Sequence, residues 1–119
     1  GAETLGTLLY SEGVVSGRID LERFLKLVCS GPASVFGFER KGRLEEGADA
    51  DFVVFDPKAE WMLDEGAMHY AVGWSPYHGR RVCGRVISTW LRGRCVYEDG
   101  QITVEPGVGQ FVAGLTRRP

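Results

Sequence analysis

The stretch Asp51-Phe52-Val53-Val54-Phe55-Asp56-Pro57 separates a helical first part of the chain from a remainder with strand character. Its four apolar residues are β-branched or aromatic, which favours a β-strand. A proline has no N–H to donate to a neighbouring strand, so it usually ends one. We therefore expect a short strand that stops at Pro57, and a separate second strand over residues 61–63.

The residues before this strand show the spacing of helices. The leucines of residues 5–9 lie three and four positions apart, and Gly13 would end this first helix as a left-handed cap. Asp20 is the predicted N-cap of a second helix. Pro32 suits the first turn of a short third helix that closes at Gly37. The chain should therefore begin with three helical segments.

The residues after the strand alternate short apolar runs with turn signals. We predict strands over residues 86–90, 95–97 and 101–104. Turns fall near Arg92-Gly93 and at Asp99-Gly100, and Asp-Gly is a strong signal for a tight hairpin. Helices followed by strands predict an α+β fold.

Composition excludes several classes of protein. The 119 residues are 44% hydrophobic and 25% charged, a globular balance that can bury a core. A net charge of -2 gives no basic surface for nucleic acid, and the apolar runs are too short to span a bilayer. The three cysteines, Cys29, Cys83 and Cys95, include no CxxC pair and are read as free thiols. With no signal-like segment at its start, the chain is expected in the cytoplasm.

Several groups of residues, in order along the chain, resemble motifs of one family. They are Gly1-Ala2-Glu3-Thr4, Gly31-Pro32-Ala33 with Val35-Phe36-Gly37, Lys41-Gly42-Arg43-Leu44 with Gly47-Ala48-Asp49-Ala50-Asp51 and Val53-Val54-Phe55-Asp56-Pro57, then Trp74-Ser75-Pro76-Tyr77-His78-Gly79 and Thr89-Trp90-Leu91-Arg92-Gly93-Arg94-Cys95-Val96-Tyr97. These are similar to the PGxET, NPAxxFGL, KGxIxxGxDADxVxxDP, SPFxG and TxxxGxxVY elements of dihydroorotases, allantoinases and dihydropyrimidinases. Those enzymes are cyclic-amide hydrolases of the amidohydrolase superfamily. One departure is Gly31, which stands where the family has Asn.

The resemblance implies a particular fold for the complete enzyme. The family has a metal-bearing (β/α)8 barrel flanked by a small β-sandwich built from both chain ends. Residues 1–37 would then supply the last helices of the barrel, and residues 38–119 the C-terminal strands of the sandwich. A barrel of this kind needs about 250 residues. The chain would therefore require a missing N-terminal barrel portion as its partner, and we expect the parent to be a homo-oligomer.

The resemblance also implies a reaction, which is the opening of a small cyclic amide by water. We favour dihydroorotase because the run Gly73-Trp74-Ser75-Pro76 resembles that subgroup. Allantoinase and dihydropyrimidinase are the alternatives, as is a free-standing, non-catalytic sandwich module for binding or assembly. In the family, two metal ions, expected to be zinc, activate the water and polarise the carbonyl.

The chain itself lacks the ligands for such a metal pair. The family uses an HxH pair, a carboxylated lysine, two further histidines and an aspartate, whereas this sequence has only His69 and His78. A zinc site needs three or four ligands. We therefore expect no catalytic residue and no metal ligand in this chain, which alone would be inactive.

The candidate substrate-binding residues are Gly1 and Ala2. In the family, backbone groups of the corresponding loop contact the substrate ring, and glycine allows a close approach of the backbone. A plain connection between a strand and a helix is the alternative reading of these two residues.

Other side chains that could act in catalysis or metal binding are assigned structural roles. His69 and His78 are read as surface or loop-anchoring residues, and Cys29 as a buried thiol. Asp49 and Asp51 are read as caps of a turn and a strand edge rather than as an acid–base pair. The tryptophans, Trp61, Trp74 and Trp90, are expected to pack in a sandwich core or at a domain seam. The arginines are expected to form a solvated face or a subunit contact, and they are Arg80, Arg81, Arg85, Arg92 and Arg94.

Overall fold

A computed structural model describes residues 2–115, in which helical segments precede an antiparallel sheet. The elements are α1 (Ala2–Leu9), a π-helical segment (Tyr10–Val15), α2 (Leu21–Leu25), a second π-helical segment (Lys26–Ser30), α3 (Gly31–Val35), β1 (Phe52–Met62), a 3-10 turn (Glu65–Ala67), β2 (Arg81–Leu91), β3 (Arg94–Glu98) and β4 (Gln101–Ile102). This order confirms the predicted α+β class.

The first helical segment extends further than the sequence predicted. The chain stays helical through Tyr10–Val15, so the expected cap at Gly13 was wrong. Gly13 is buried, and a Cβ there would lie 3.0 Å from the side chain of Ile19. The glycine therefore serves close packing, and the left-handed conformation falls at Gly17, with φ +75°.

The second and third helices form one nearly continuous helical run. The Asp20 side chain accepts a hydrogen bond from the Arg23 amide at 2.7 Å, which confirms it as the N-cap of α2. Residues Lys26–Ser30 continue the helix with wider turns and lead into α3, where Pro32 occupies the first turn as predicted. Gly37 then ends the run with φ +68°, also as predicted.

The strands form one sheet in the order β1-β2-β3-β4, with every neighbouring pair antiparallel. β1 continues past Pro57 to Met62, so the predicted stop was wrong, and Trp61 belongs to β1 rather than to a second strand. Asp56 pairs with Arg85 and Glu60 pairs with Cys83, so residues 57–59 lie opposite the single residue Gly84. This bulge keeps the proline out of the hydrogen-bond ladder, where its missing N–H would be needed.

Two tight turns connect β2 to β3 and β3 to β4. Arg92 and Gly93 have φ of 49° and 76°, and Asp99 and Gly100 have φ of 45° and 86°. Two successive positive φ angles are the requirement of a type I′ hairpin. Both predicted turns are confirmed, although β4 (Gln101–Ile102) is shorter than the expected strand over residues 101–104.

An aromatic cluster joins the helices to the sheet. The ring of Tyr10 meets the rings of Phe24 and Phe55 edge-on, with centroids 5.7 and 4.8 Å apart. Gly84 of β2 lies directly beside this cluster, since a Cβ there would touch both Tyr10 and Phe55. The Cys83 amide donates a hydrogen bond to Ser11 Oγ at 3.1 Å.

Much of the apolar surface stays outside the core of this chain. The buried apolar side chains of the described residues are Leu63, Val82 and Ala33. In contrast, Leu21 and Leu25 of α2 are 54% and 49% exposed. Large exposed apolar surfaces usually mark a contact with another protein segment. Among residues 2–115, none of the helices combines the length and the apolar character that crossing a bilayer requires.

Candidate functional site

The beginning of α1 lines a groove of about 490 Å³. Gly1 lies outside the described residues, so of the two predicted substrate-binding residues only Ala2 can be placed. Ala2 is exposed and forms one wall of the groove. The other lining residues come from α1 and from the loop before β2: Glu3, His69, Tyr70, Val72, Trp74 and Pro76. The substrate-binding role of Ala2 stays a prediction.

A larger cavity of about 760 Å³ lies between α1 and the sheet. Its lining includes polar side chains from several elements: Glu3, Thr7, His69, Arg85, Thr89, Tyr97 and Gln101. Glu3 and His69 line both this cavity and the groove. The pair therefore lies where the start of α1, the loop before β2 and the sheet come together.

Glu3 holds His69 through two hydrogen bonds. Glu3 Oε1 lies 2.8 Å from His69 Nδ1, and Glu3 Oε2 accepts a bond from the His69 amide at 3.0 Å. The second ring nitrogen, Nε2, lies 3.2 Å from the Gly100 carbonyl oxygen. The hydrogen bond to the Glu3 carboxylate raises the pKa of His69, and partial desolvation opposes that rise. His69 thus anchors a loop, as the sequence predicted.

His78 anchors a different turn. Its Nδ1 accepts a hydrogen bond from the Glu65 amide at 3.2 Å and lies 3.7 Å from the Asp64 carboxylate. Within residues 2–115, no group of three or more His, Cys, Asp or Glu side chains is arranged so that it could hold a metal ion. The described residues therefore do not fit the paired metal ions that the family resemblance implies, and no metal-dependent step can be assigned to them.

The carboxylates of Asp49 and Asp51 contact basic side chains, and that of Asp51 also contacts a backbone amide, so the two do not form an acid–base pair with each other. Lys41 Nζ contacts both carboxylates, at 2.9 Å from Asp49 Oδ2 and at closer range from Asp51 Oδ2. Arg40 also pairs with Asp49 at 2.8 Å, and Asp51 Oδ1 accepts the Arg92 amide at 2.7 Å. This confirms the predicted capping role for Asp51, which caps the β2–β3 turn. The Asp49 carboxylate is seen in ion pairs with Arg40 and Lys41, and its predicted capping role stays a prediction.

The proton affinities in this cluster follow from its contacts. Burial would raise the pKa of Asp51, but the hydrogen bonds from Lys41 and from the Arg92 amide outweigh it and lower that pKa. The hydrogen bond to Asp51 is the main reason that the pKa of Lys41 is raised. Both shifts favour the charged pair, so the cluster ties residues 41–51 to the sheet electrostatically.

The three cysteines are free, as predicted. Cys29 is exposed in this chain, so the expectation of a buried thiol was wrong. Its neighbours still desolvate it enough to raise the pKa of the thiol, which disfavours the reactive thiolate. Cys83 and Cys95 point their thiols at the carbonyl oxygens of Pro57 and Tyr97.

The tryptophans have different environments. Trp61 donates from Nε1 to the Gly84 carbonyl at 3.0 Å, and Trp90 stacks on Phe52 with centroids 5.6 Å apart. These two contacts agree with packing on the sheet. Trp74 is 60% exposed and lines the groove beside Ala2, so it does not pack in a core formed by this chain.

The arginines do not form one basic surface, because most of them have separate partners. Arg80 pairs with Glu12 at 3.0 Å, and Arg92 Nη2 donates to the Val108 carbonyl at 2.7 Å. The guanidinium of Arg85 lies 5.5 Å above the ring of Trp61, at the distance of a cation–π contact.

Sequence reasoning missed the role of Glu3. This residue lies in the first motif of the resemblance, yet its partner His69 follows 66 positions later. A local pattern carries no signal for a pairing at that separation. The position of Glu3 as an acidic residue in the first turn of α1 is the only local feature that distinguishes it.

Comparisons with known proteins agree with this architecture. The model of the amidohydrolase family matches residues 12–97. The D-hydantoinase of Geobacillus stearothermophilus is 42% identical over 89% of this chain and 23% of its own length. The allantoinase of Rubrobacter xylanophilus is 42% identical over 94% of this chain and 24% of its own. The crystal structure of dihydropyrimidinase from Brevibacillus agri superposes with a TM-score of 0.89 at 36% identity, covering 96% of this chain and 25% of that one.

This chain belongs to the amidohydrolase family. The names of its relatives support the cyclic-amide branch that the motifs indicated. The chain spans about a quarter of the length of these relatives. Dihydroorotase is not among the three names, so the choice of that subgroup stays a prediction.

Proposed function

We propose that this chain is the C-terminal segment of a cyclic-amide hydrolase that opens a hydantoin or dihydropyrimidine ring. The observation that carries the proposal is the similarity of almost the whole chain to relatives named hydantoinase and dihydropyrimidinase. Dihydroorotate is the second candidate substrate, and the motif at residues 73–76 favours it. Allantoin is a third ring of the same class, suggested by the relative from Rubrobacter.

The proposal divides the chain into two parts. Residues 1–37 would supply the last helices of a (β/α)8 barrel, and residues 38–119 would supply C-terminal strands of a small β-sandwich. The exposed Leu21 and Leu25 support this division, because helices that complete a barrel need an apolar face toward the neighbouring helices and strands. The four-stranded antiparallel sheet supports the second part.

The proposed contribution of this chain to catalysis is substrate contact rather than bond breaking. Ring opening needs an activated water and a polarised carbonyl, and two metal ions, expected to be zinc, would supply both in the complete enzyme. The described residues do not fit such a site. The chain would instead present the backbone at Gly1 and Ala2 to the ring, next to the groove that Ala2 lines.

We also propose that the complete enzyme is a cytoplasmic homo-oligomer. The exposed Val35 and Phe111, at 81% and 95%, support an additional protein contact, which the rest of the enzyme or a second subunit could provide. The free cysteines support a reducing compartment.

The proposal is tested by producing the longer protein that contains these residues and offering it hydantoin, dihydrouracil, allantoin and dihydroorotate. We expect ring opening of hydantoin or dihydrouracil, with a bound metal pair. The 119-residue chain alone should open none of these rings and should bind no stoichiometric zinc. Turnover by the short chain with bound metal would contradict the proposal, and a strict preference for dihydroorotate would favour the second candidate.

The role of Ala2 has its own variant. Replacing Ala2 with leucine in the longer protein should raise KM for the ring with a smaller change in kcat, because the side chain would obstruct the groove. The matched control is Ala113→Leu, which adds the same bulk at another exposed position. Equal kinetic constants for the two variants would argue that Ala2 is only a connection.

A further inference from the structure

Both ring nitrogens of His69 face hydrogen-bond acceptors. Nδ1 lies 2.8 Å from the carboxylate of Glu3, and Nε2 lies 3.2 Å from the carbonyl oxygen of Gly100. A neutral imidazole carries one N–H and can donate to only one partner. An ionised carboxylate and a backbone carbonyl have no proton to donate in return. Only the doubly protonated ring therefore satisfies both contacts.

These contacts connect three parts of the chain that are distant in sequence. Glu3 belongs to the first turn of α1, His69 to the loop before β2, and Gly100 to the turn between β3 and β4. Glu3 also accepts the His69 amide, so the carboxylate holds both the ring and the backbone of that loop. The side chains of Glu3 and His69 are 34% and 30% exposed, so water screens the link only in part.

We propose that Glu3 and His69 are positioning residues that fix the beginning of α1 against the β3–β4 turn while His69 is doubly protonated, and that release it when His69 loses a proton. The immediate neighbour of Glu3 is Ala2, which lines the groove. The further consequence, that substrate affinity depends on the same proton, rests on the proposed function.

The charged and titratable groups around His69 determine the direction of this dependence. Glu3 faces it from α1, and the ring of Tyr97 on β3 meets it edge-on at 5.7 Å. Arg85 of β2 lines the same cavity, and Asp99 precedes Gly100 in the turn. The hydrogen bond to the Glu3 carboxylate is the largest influence and raises the pKa of His69.

The sign follows from that raised pKa. A group whose pKa is higher in the folded state contributes its full stabilisation below its unfolded pKa, about 6.5 for histidine. That contribution is lost as the pH rises through the higher, folded value. The link is therefore present in mildly acidic solution and weakens on the alkaline side of the ordinary histidine range.

The test combines two nuclear magnetic resonance measurements on the 119-residue chain with histidine and amide nitrogens labelled. The imidazole shifts give the pKa of His69, and amide hydrogen exchange gives the protection factor of the His69 amide, which itself donates to Glu3. We expect that protection factor to fall roughly threefold to fivefold as His69 deprotonates. A change of this size corresponds to the stabilisation that a partly exposed ion pair contributes.

Glu3→Gln and Glu12→Gln form a matched pair of variants on the first helical segment, because Glu12 pairs with Arg80 instead of His69. Glu3→Gln should lower the pKa of His69 and make the protection factor of its amide independent of that titration. Glu12→Gln should behave like the unaltered chain. An equal His69 pKa in both variants would overturn the proposal, as would a protection factor that ignores the protonation of His69.

A third variant tests whether the pH-dependent loss of protection comes from His69 itself. His69→Gln keeps one donor group but cannot titrate, so protection at the amide of residue 69 should stay flat with pH. A persistent change in that variant would assign the effect to another group and refute the role of His69. None of these measurements requires hydrolysis. Absence of ring-opening activity would contradict the proposed function, whereas the resonance measurements decide whether the contact between Glu3 and His69 depends on pH.

Discussion

Replacing Gly84 with alanine should destabilise the junction between the helices and the sheet. Gly84 has φ +94° and lies opposite the bulge of β1. A Cβ at this position would lie 2.5 Å from Phe55 Cζ and 2.6 Å from Tyr10 Cδ1. Carbon atoms in contact normally stay about 3.5–4.0 Å apart, so at least one of the two rings must move. The movement would disturb the contact through which Tyr10 fastens the helical part to β1.

The expected magnitude has two components. An L-residue with a side chain loses about 1–2 kcal/mol in the left-handed region that glycine occupies freely. Overpacking a filled site costs about 1–3 kcal/mol more. The free energy of unfolding should therefore fall by about 2–5 kcal/mol. A domain has only about 5–15 kcal/mol in total, so the loss is large.

The assay is urea-induced unfolding followed by tryptophan fluorescence, with susceptibility to proteolysis as a second measurement. The matched control is Gly93→Ala, because Gly93 also has a positive φ of 76° but its Cβ would meet nothing closer than Ala50 Cβ at 4.0 Å. The control should lose only the backbone component, about 1–2 kcal/mol. Equal losses in the two variants would refute the close packing of Tyr10 and Phe55 on Gly84.

Three further substitutions separate local from tertiary effects. Gly6→Ala should stabilise the chain by about 0.5–1 kcal/mol, because Gly6 lies inside α1 with open space around it. Gly31→Ala should destabilise it, because the added Cβ would overlap the Lys26 carbonyl oxygen. If Gly6→Ala and Gly31→Ala shifted the urea midpoint in the same direction, this reasoning would be contradicted. Asp51→Asn should cost about 1–3 kcal/mol through the loss of charged hydrogen bonds, whereas the exposed Glu46→Gln should stay within about 0.5 kcal/mol. Because folding lowers the pKa of Asp51, the contribution of this carboxylate to stability is present above the ordinary aspartate pKa. It should disappear as the pH falls through the lowered value. Acid unfolding of the unaltered chain and of the Asp51→Asn variant measures this difference.

Features decided by neighbouring residues were predictable. The two hairpin turns follow from Arg92-Gly93 and Asp99-Gly100, where the chain needs successive positive φ angles. Asp20 was recognisable as an N-cap because a short carboxylate before an apolar helical pattern can accept the amide three residues later. In each case the atoms that make the contact are within a few residues of each other.

Features decided by distant partners were not predictable. Pro57 normally ends a strand, but pairing of β1 with β2 on both sides of the bulge carries the strand past it. Gly84 lies inside β2, yet the approach of Tyr10 and Phe55 makes it a packing position. The candidate site shows the same limit, since the motifs pointed to Ala2 while the pairing of Glu3 with His69 depends on the packing of α1 against the sheet.

The sequence by itself determined the α+β order, the hairpin turns, the helix cap and the resemblance to cyclic-amide hydrolases. Each of these depends on residue types at fixed short spacings, which the backbone geometry translates directly into structure. The tertiary structure alone decided where β1 ends, which glycines are needed for packing, and that both nitrogens of His69 meet acceptors. Those outcomes depend on atoms brought together by folding. For His69, the 31 and 66 residues that separate it from Gly100 and Glu3 leave no local trace of the contacts.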